Sequence, residues 1–202
     1  MKLGILGGTF DPIHLGHLII AQEAMSSLRL DRVLFVPAGD PWMKADTTIT
    51  PRQHRLAMVV AAVGGNPKFK VSPSELERFG PSYTVETLEE FQEDYGLQTE
   101  LHFIIGADAL KDFGRWNQPE RVLELCILAV VGRPAQEELD LSALEASLPG
   151  IGKRVVVIDD VSIGVSATDI RERVAEGRSI RYLVPPPVEA YIQEHGLYKE
   201  KR

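Results

Sequence analysis

Apolar positions along this chain fall into two alternating patterns. Short apolar or β-branched runs occupy residues 2–7, 32–36, 68–71, 101–105, 126–131 and 154–158. Apolar on both faces, they predict strands buried within a parallel sheet. Between them, helical patterns cover residues 17–28, 51–63, 84–95, a short piece near 119–125, 143–148 and 168–176. The alternation predicts βαβ units and an α/β fold with a doubly wound parallel sheet.

Some boundaries carry their own chemistry. Thr50-Pro51-Arg52-Gln53 predicts a capping box, with Thr50 as cap, Pro51 at the first helical position and Gln53 at the third. Gly64-Gly65 would end that helix. Residues 183–187, with three consecutive prolines, read as a turn before a last short helix over 188–195, so a small helical portion closes the chain. Residues 199–202 read as a frayed tail. No internal repeat interrupts the pattern, and 202 residues are expected to form a single domain, 1–202.

Composition narrows the partners. Twenty-nine acidic residues against 22 Lys and Arg give a formal charge of −7, a field that repels polyanions. Nucleic acid is therefore not an expected partner, and a phosphate ligand would need a local site. The lone cysteine, Cys126, lies in the run Cys126-Ile127-Leu128-Ala129-Val130-Val131. It excludes an internal disulfide, points to a reducing compartment and reads as a small buried apolar residue. The N-terminal apolar stretch is broken by glycines and Asp11, and no run reaches the roughly 20 apolar residues of a membrane span. A cytoplasmic, unanchored protein with no membrane partner is expected. The oligomeric state stays open between monomer and homo-oligomer.

Four constellations could carry chemistry. The first is GGTFDPIHLGH, Gly7 to His17, directly after the first strand. Ligands of an open parallel sheet bind beyond the carboxyl ends of its strands, near the point where strand order reverses. Glycines there allow close backbone approach, and the following helix start offers free N–H groups to an anion. The loop is neither the G-x-G-x-x-G fingerprint nor a P-loop; it carries His14-x-x-His17 instead. Imidazoles at that spacing can converge on one group, and an anionic ligand would favour their charged form. Helix capping with a solvated imidazole, and a His-x-x-His zinc site, are the competing readings.

The second is Ser166-Ala167-Thr168-Asp169-Ile170-Arg171. Ser166 and Asp169 read as a capping box; Thr168 and Arg171, three apart, could face the same ligand. Two helix starts would then address one polyphosphate. The third is Gly106-Ala107-Asp108 at the end of a strand, with Trp116 downstream: an acidic residue there can accept ribose hydroxyls, and an indole can stack on a flat ring or simply pack. The fourth is Ser82-Tyr83-Thr84-Val85-Glu86-Thr87-Leu88, opening a helix, together with Lys44 in a loop containing Pro41 and Trp42. Capping and solvated charge also explain these.

Taken together, GGTFDPIHLGH, SYTVETL, GADALKDFGRW and SATDIRERVAEGRSIRYLVPPPVEAYIQEHGLY closely resemble the bacterial nicotinate mononucleotide adenylyltransferases, H-x-G-H nucleotidyltransferases, along essentially the whole chain. His14-Leu15-Gly16-His17 alone indicates nucleotidyl transfer; SYTVETL and the GAD-to-Trp segment narrow the substrate. The resemblance implies a Rossmann-like nucleotidyltransferase fold. It implies ATP and nicotinate mononucleotide as substrates, Mg2+ carried by ATP, and nicotinate adenine dinucleotide and pyrophosphate as products, in NAD biosynthesis. By the family pattern Gly8, Thr9 and Phe10 line the nucleotide phosphates, and His14 and His17 contact ATP phosphates. Ser166, Thr168 and Arg171 hold the triphosphate end, with His14, His17 and Arg171 as the catalytic set, while Gly106 and Asp108 meet the ribose. Lys44, Thr84 and Trp116 hold the mononucleotide, Trp116 by stacking on the pyridine ring.

Two departures from the pattern stand out: Pro41-Trp42-Met43-Lys44 replaces Pro-Pro-His-Lys, and Ser166-Ala167-Thr168 replaces Ser-Ser-Thr while keeping both hydroxyls. Nicotinamide mononucleotide or phosphopantetheine as acceptor, and a non-catalytic nucleotide sensor, are the alternative readings. No Ser-His-Asp or Cys-His set is needed, because the acceptor phosphate is largely ionised at neutral pH and already a nucleophile.

Overall fold

The computed structural model describes residues 1–39, 49–132, 141–158 and 164–199. Six parallel strands form one sheet: β1 (Lys2–Gly8), β2 (Arg32–Pro37), β3 (Phe69–Val71), β4 (Glu100–Gly106), β5 (Cys126–Val131) and β6 (Val155–Ile158). Their spatial order is β3-β2-β1-β4-β5-β6. The order reverses between β1 and β4, as a doubly wound sheet requires.

Nine helices are described: α1 (Leu15–Leu28), α2 (Arg52–Val63), α3 (Ser74–Glu77), α4 (Thr84–Tyr95), α5 (Ala107–Lys111), α6 (Pro119–Leu125), α7 (Ser142–Ser147), α8 (Ala167–Ala175) and α9 (Pro186–Glu194). Alternate residues of each strand feed opposite faces of the sheet. On one face Leu6, Val33, Phe35 and Ile104 meet Ala21, Met58, Ile170 and Val188 from α1, α2, α8 and α9. On the other, Leu3, Ile5, Leu34 and Phe103 meet Leu88, Phe91, Leu110 and Val122 from α4, α5 and α6. Cys126 sits in this second layer, where burial pushes its thiol up to about 12.

The expected strands are present, with one correction. β6 lies at the sheet edge, and Val156 and Val157 are 38% and 39% exposed rather than buried on both faces. The predicted Thr50 capping box does not form. The α2 N-cap is Pro51, with no side-chain cap, because Thr50 turns its backbone to other partners: its N–H donates to Asp11 Oδ2 and its carbonyl accepts from Arg55 Nε. Gly64 does end α2. The last helix starts at Pro186, inside the proline run, since proline suits a first helical turn. The short helices α3 and α5 leave too little periodicity to be seen in the sequence.

Candidate active site

β1 and β4 part company at their carboxyl ends. β1 stays paired with β2 as far as Gly8↔Pro37, and β4 with β5 as far as Gly106↔Val131, yet the β1–β4 register stops at Ile5↔Phe103. Both strands continue for three more residues. The resulting crevice, between Gly8 and Gly106, lies at the reversal of strand order. Gly8 is closely packed: a Cβ there would meet the Phe10 ring at 3.2 Å, and the ring would have to shift. Above Gly106 a Cβ would meet nothing within 4 Å, so that backbone faces open space.

The loop after β1 folds back on itself. Phe10 adopts φ of +49°, in the left-handed region, and buries its ring between His17, at 5.0 Å between ring centres, and Phe35 at 6.1 Å. Thus Phe10 can offer only its backbone to a ligand; its side chain belongs to the core. α1 begins at Leu15, which makes His14 the residue before the first turn and His17 its third residue. The two imidazoles meet, 3.8 Å between ring centres and 31° between planes.

Their protonation follows from the hydrogen bonds. The His14 backbone N–H donates to His17 Nδ1 at 3.2 Å. That nitrogen must therefore be unprotonated, so the neutral His17 ring carries its proton on Nε2 and can donate there. The His14 ring is buried, its Nδ1 has no hydrogen-bond partner, and burial pushes it down to about 4. Without a ligand His14 is therefore neutral at pH 7, and the charged form expected in the presence of an anion would have to be brought about by that anion.

The second helix start joins the first. Ser166 caps α8, its Oγ accepting from the Asp169 N–H at 3.1 Å. The predicted reciprocal bond is not what Asp169 makes; its carboxylate accepts from Arg173 Nε at 2.8 Å. Arg171 Nη1 donates to the Asp11 carbonyl at 2.8 Å and Nη2 to Thr168 Oγ1 at 3.4 Å. Ser166 and Thr168 are exposed and Arg171 half-buried, so hydroxyls and guanidinium stand at the rim of the loop that carries the histidines.

The other predicted residues are more scattered. Asp108 is almost fully exposed in the first turn of α5 and accepts from Lys111 Nζ at 2.9 Å. Trp116 is half-buried, edge-on to Phe103 at 5.8 Å and tilted on Phe113 at 5.2 Å, so packing accounts for part of its surface. Thr84 is the half-buried first residue of α4. Lys44, with Pro41 and Trp42, lies outside the described residues.

Three residues escaped sequence reasoning. Asp11 is buried and tied to Thr50, Tyr198 and Arg171. Arg55 is 2% exposed, and its guanidinium donates to the carbonyls of Thr9, Ala38, Gly39 and Thr50, binding the ends of β1 and β2 to α2. Gly39 is packed so tightly that a Cβ would lie 2.0 Å from the Glu75 carbonyl oxygen. Its N–H donates to Ser82 Oγ at 3.0 Å, so Ser82 serves the end of β2 rather than capping α4. Arg55 and Gly39 line a cavity of about 260 Å³ together with Thr50, Arg52 and Arg78.

The cytidylyltransferase-like family model matches residues 5–173, which span the β1 loop, the crevice and the start of α8. The chain belongs to the cytidylyltransferase-like family. Among its relatives in this family, a probable nicotinate-nucleotide adenylyltransferase of Roseiflexus sp. (strain RS-1) is 49% identical, covering 98% of both chains. One of the same description from Thermomicrobium roseum is 48% identical over 98% of this chain and 92% of its own. Among solved structures, Plasmodium falciparum nicotinic acid mononucleotide adenylyltransferase complexed with NaAD superposes with a TM-score of 0.76 at 20% identity, covering 98% of this chain and 97% of that one. At that identity the likeness speaks for the fold. It agrees with the six-stranded parallel sheet described above.

Proposed function

We propose that this chain transfers the adenylyl group of ATP to nicotinate mononucleotide, releasing pyrophosphate and forming nicotinate adenine dinucleotide for NAD biosynthesis. The observation that carries the reading is the convergence of His14, His17, Thr168 and Arg171 around one loop at the open, splayed end of β1. The names of relatives at 41–49% identity over nearly the whole chain agree with it.

The mononucleotide phosphate oxygen attacks the α-phosphorus of ATP. The bond from that phosphorus to the β-phosphate oxygen breaks, and its electron pair leaves with pyrophosphate. No proton need move for the attack, so positioning and charge stabilisation suffice. His17, protonated on Nε2, donates to the phosphates; Arg171 supplies a permanent positive charge where negative charge accumulates. The N–H groups of Gly8, Thr9 and Phe10 and the hydroxyls of Ser166 and Thr168 hold the remaining phosphate oxygens. His14, neutral in the free chain, either donates from a ring N–H or takes up a proton as the polyanion arrives.

Gly106, with open space above it, and Asp108 receive the ATP ribose, Asp108 giving up its exposed Lys111 partner. Lys44, Thr84 and Trp116 hold the mononucleotide. Magnesium would enter carried on the ATP phosphates, and the chain's part would be to hold those phosphates. No described helix is long and apolar enough to cross a membrane. The C-terminal helices share one apolar core with α1 and α2, which supports reading 1–202 as a single nucleotidyltransferase unit.

The test is pyrophosphate release from ATP and magnesium with nicotinate mononucleotide, nicotinamide mononucleotide and phosphopantetheine, compared by kcat/KM. Preference for the acid mononucleotide is expected. Release with a different acceptor alone would overturn the substrate, and ATP binding without release would return the chain to a sensor.

A further inference from the structure

Asp11 lies in the loop between β1 and α1 and is only 6% exposed. Both carboxylate oxygens are engaged inside the chain: Oδ1 accepts from the Tyr198 hydroxyl at 2.7 Å and Oδ2 from the Thr50 N–H at 3.0 Å. Its backbone carbonyl accepts from Arg171 Nη1 at 2.8 Å. One residue thereby joins the loop that delivers His14 and His17, the approach to α2, the first half of α8, and a tyrosine 187 residues away.

Tyr198 is held for this contact. Its ring packs against the core layer of α1, α2, α8 and α9, and its backbone sits at φ +62°, a conformation non-glycine residues adopt rarely. Burial and the neighbouring carboxylate push its hydroxyl well above the usual range, so it remains a donor. An aspartate beside a phosphate loop could be a metal ligand, a general base or a brace. The first two need a carboxylate oxygen turned to the ligand, and here each oxygen faces the protein.

We propose that Asp11 and Tyr198 are positioning residues: Tyr198, from the far end of the chain, orients the Asp11 carboxylate, and Asp11 holds His14, His17 and Arg171 in register. This rests on the adenylyl-transfer reading of the site. The register matters because Arg171 bridges the Asp11 carbonyl and Thr168, so displacement of the loop displaces the guanidinium with it. A shift on the order of 1 Å in such a constellation can cost about a hundredfold in rate.

The experiment compares wild type with Tyr198→Phe, Asp11→Asn and Asp11→Ala for kcat, KM of ATP and Tm. Asparagine can keep both contacts, its amide oxygen accepting from the Thr50 N–H and its amide N–H donating to the Tyr198 oxygen. A brace therefore tolerates Asp11→Asn, with kcat within about threefold of wild type, whereas Asp11→Ala loses about thirtyfold. Tyr198→Phe is expected to lose about tenfold in kcat, with a smaller rise in the KM of ATP.

A loss of two decades or more in Asp11→Asn would overturn the proposal, because the charge itself would then serve the reaction. So would a Tyr198→Phe enzyme with lowered Tm but wild-type kcat per folded molecule. If Tyr198→Phe does not fold, the Asn and Ala pair decides alone. NMR of the imidazole rings gives a readout free of turnover: Tyr198→Phe should move the His14 and His17 signals and leave His102, on β4, in place. Unmoved His14 and His17 signals would sink the brace. If the wild type releases no pyrophosphate with any acceptor, the functional reading fails separately, and the ring signals still judge the positioning.

Discussion

The backbone N–H of His14 donates to Nδ1 of His17, and the two rings lie 3.8 Å apart between centres, tilted by 31°. This one bond sets the His17 tautomer, aims its remaining proton away from Nδ1, and makes the first turn of α1 part of the site. A helix start that looks like a cap in sequence is here also a device for orienting a donor.

His17→Asn separates the two jobs. The asparagine oxygen can replace Nδ1 as acceptor for His14, but nothing replaces the Nε2 donor. Thermal denaturation should show Tm within a few degrees of wild type, whereas kcat for pyrophosphate release falls by about two decades, as does His17→Ala. Wild-type turnover by a folded Asn variant would remove His17 from the phosphate contacts.

His14 predicts a pH dependence of stability. Burial depresses its ring to about 4 in the fold, against about 6.5 for a free imidazole. Between those values the unfolded chain binds a proton that the native chain does not, so unfolding free energy falls as pH drops from 6.5 to 4. The loss is on the order of 3 kcal/mol. His102, buried beside Glu100 and also depressed, acts in the same direction. Urea unfolding of wild type and His14→Gln across this range isolates the His14 share; equal slopes would refute it.

Trp116 touches Phe103 and Phe113 with part of its ring and is only half-buried. If its exposed surface stacks on the pyridine, Trp116→Ala should raise KM for the mononucleotide more than KM for ATP. An equal or reversed effect would assign the indole to packing alone.

Arg55 ties four carbonyls with one planar guanidinium. Lysine offers a single nitrogen and cannot span them, which leaves half-buried acceptors unpaired. Arg55→Lys should lower unfolding free energy by about 2–4 kcal/mol, measured by chemical denaturation. A change below about 0.5 kcal/mol would show that those carbonyls find water instead.

What the sequence determined by itself was whatever repeats locally. The central strands are apolar on both faces, so residues 33–36, 101–105 and 126–131 announce buried parallel strands without reference to anything distant. The loop motif and the cap at Ser166 are likewise short-range patterns; in the structure His14 lies against His17, and Arg171 ties Thr168 to the backbone of the same loop at Asp11. The tertiary structure decided the rest. That Asp11 meets Tyr198 and Thr50, that Arg55 gathers the ends of two strands, and that burial keeps His14 neutral depend on segments far apart in the chain. Such contacts impose no period and no local composition on the sequence; they exist only once the sheet has brought the strand ends together. The same holds for the parting of β1 from β4, which no residue of either strand signals and which opens the crevice where the site lies.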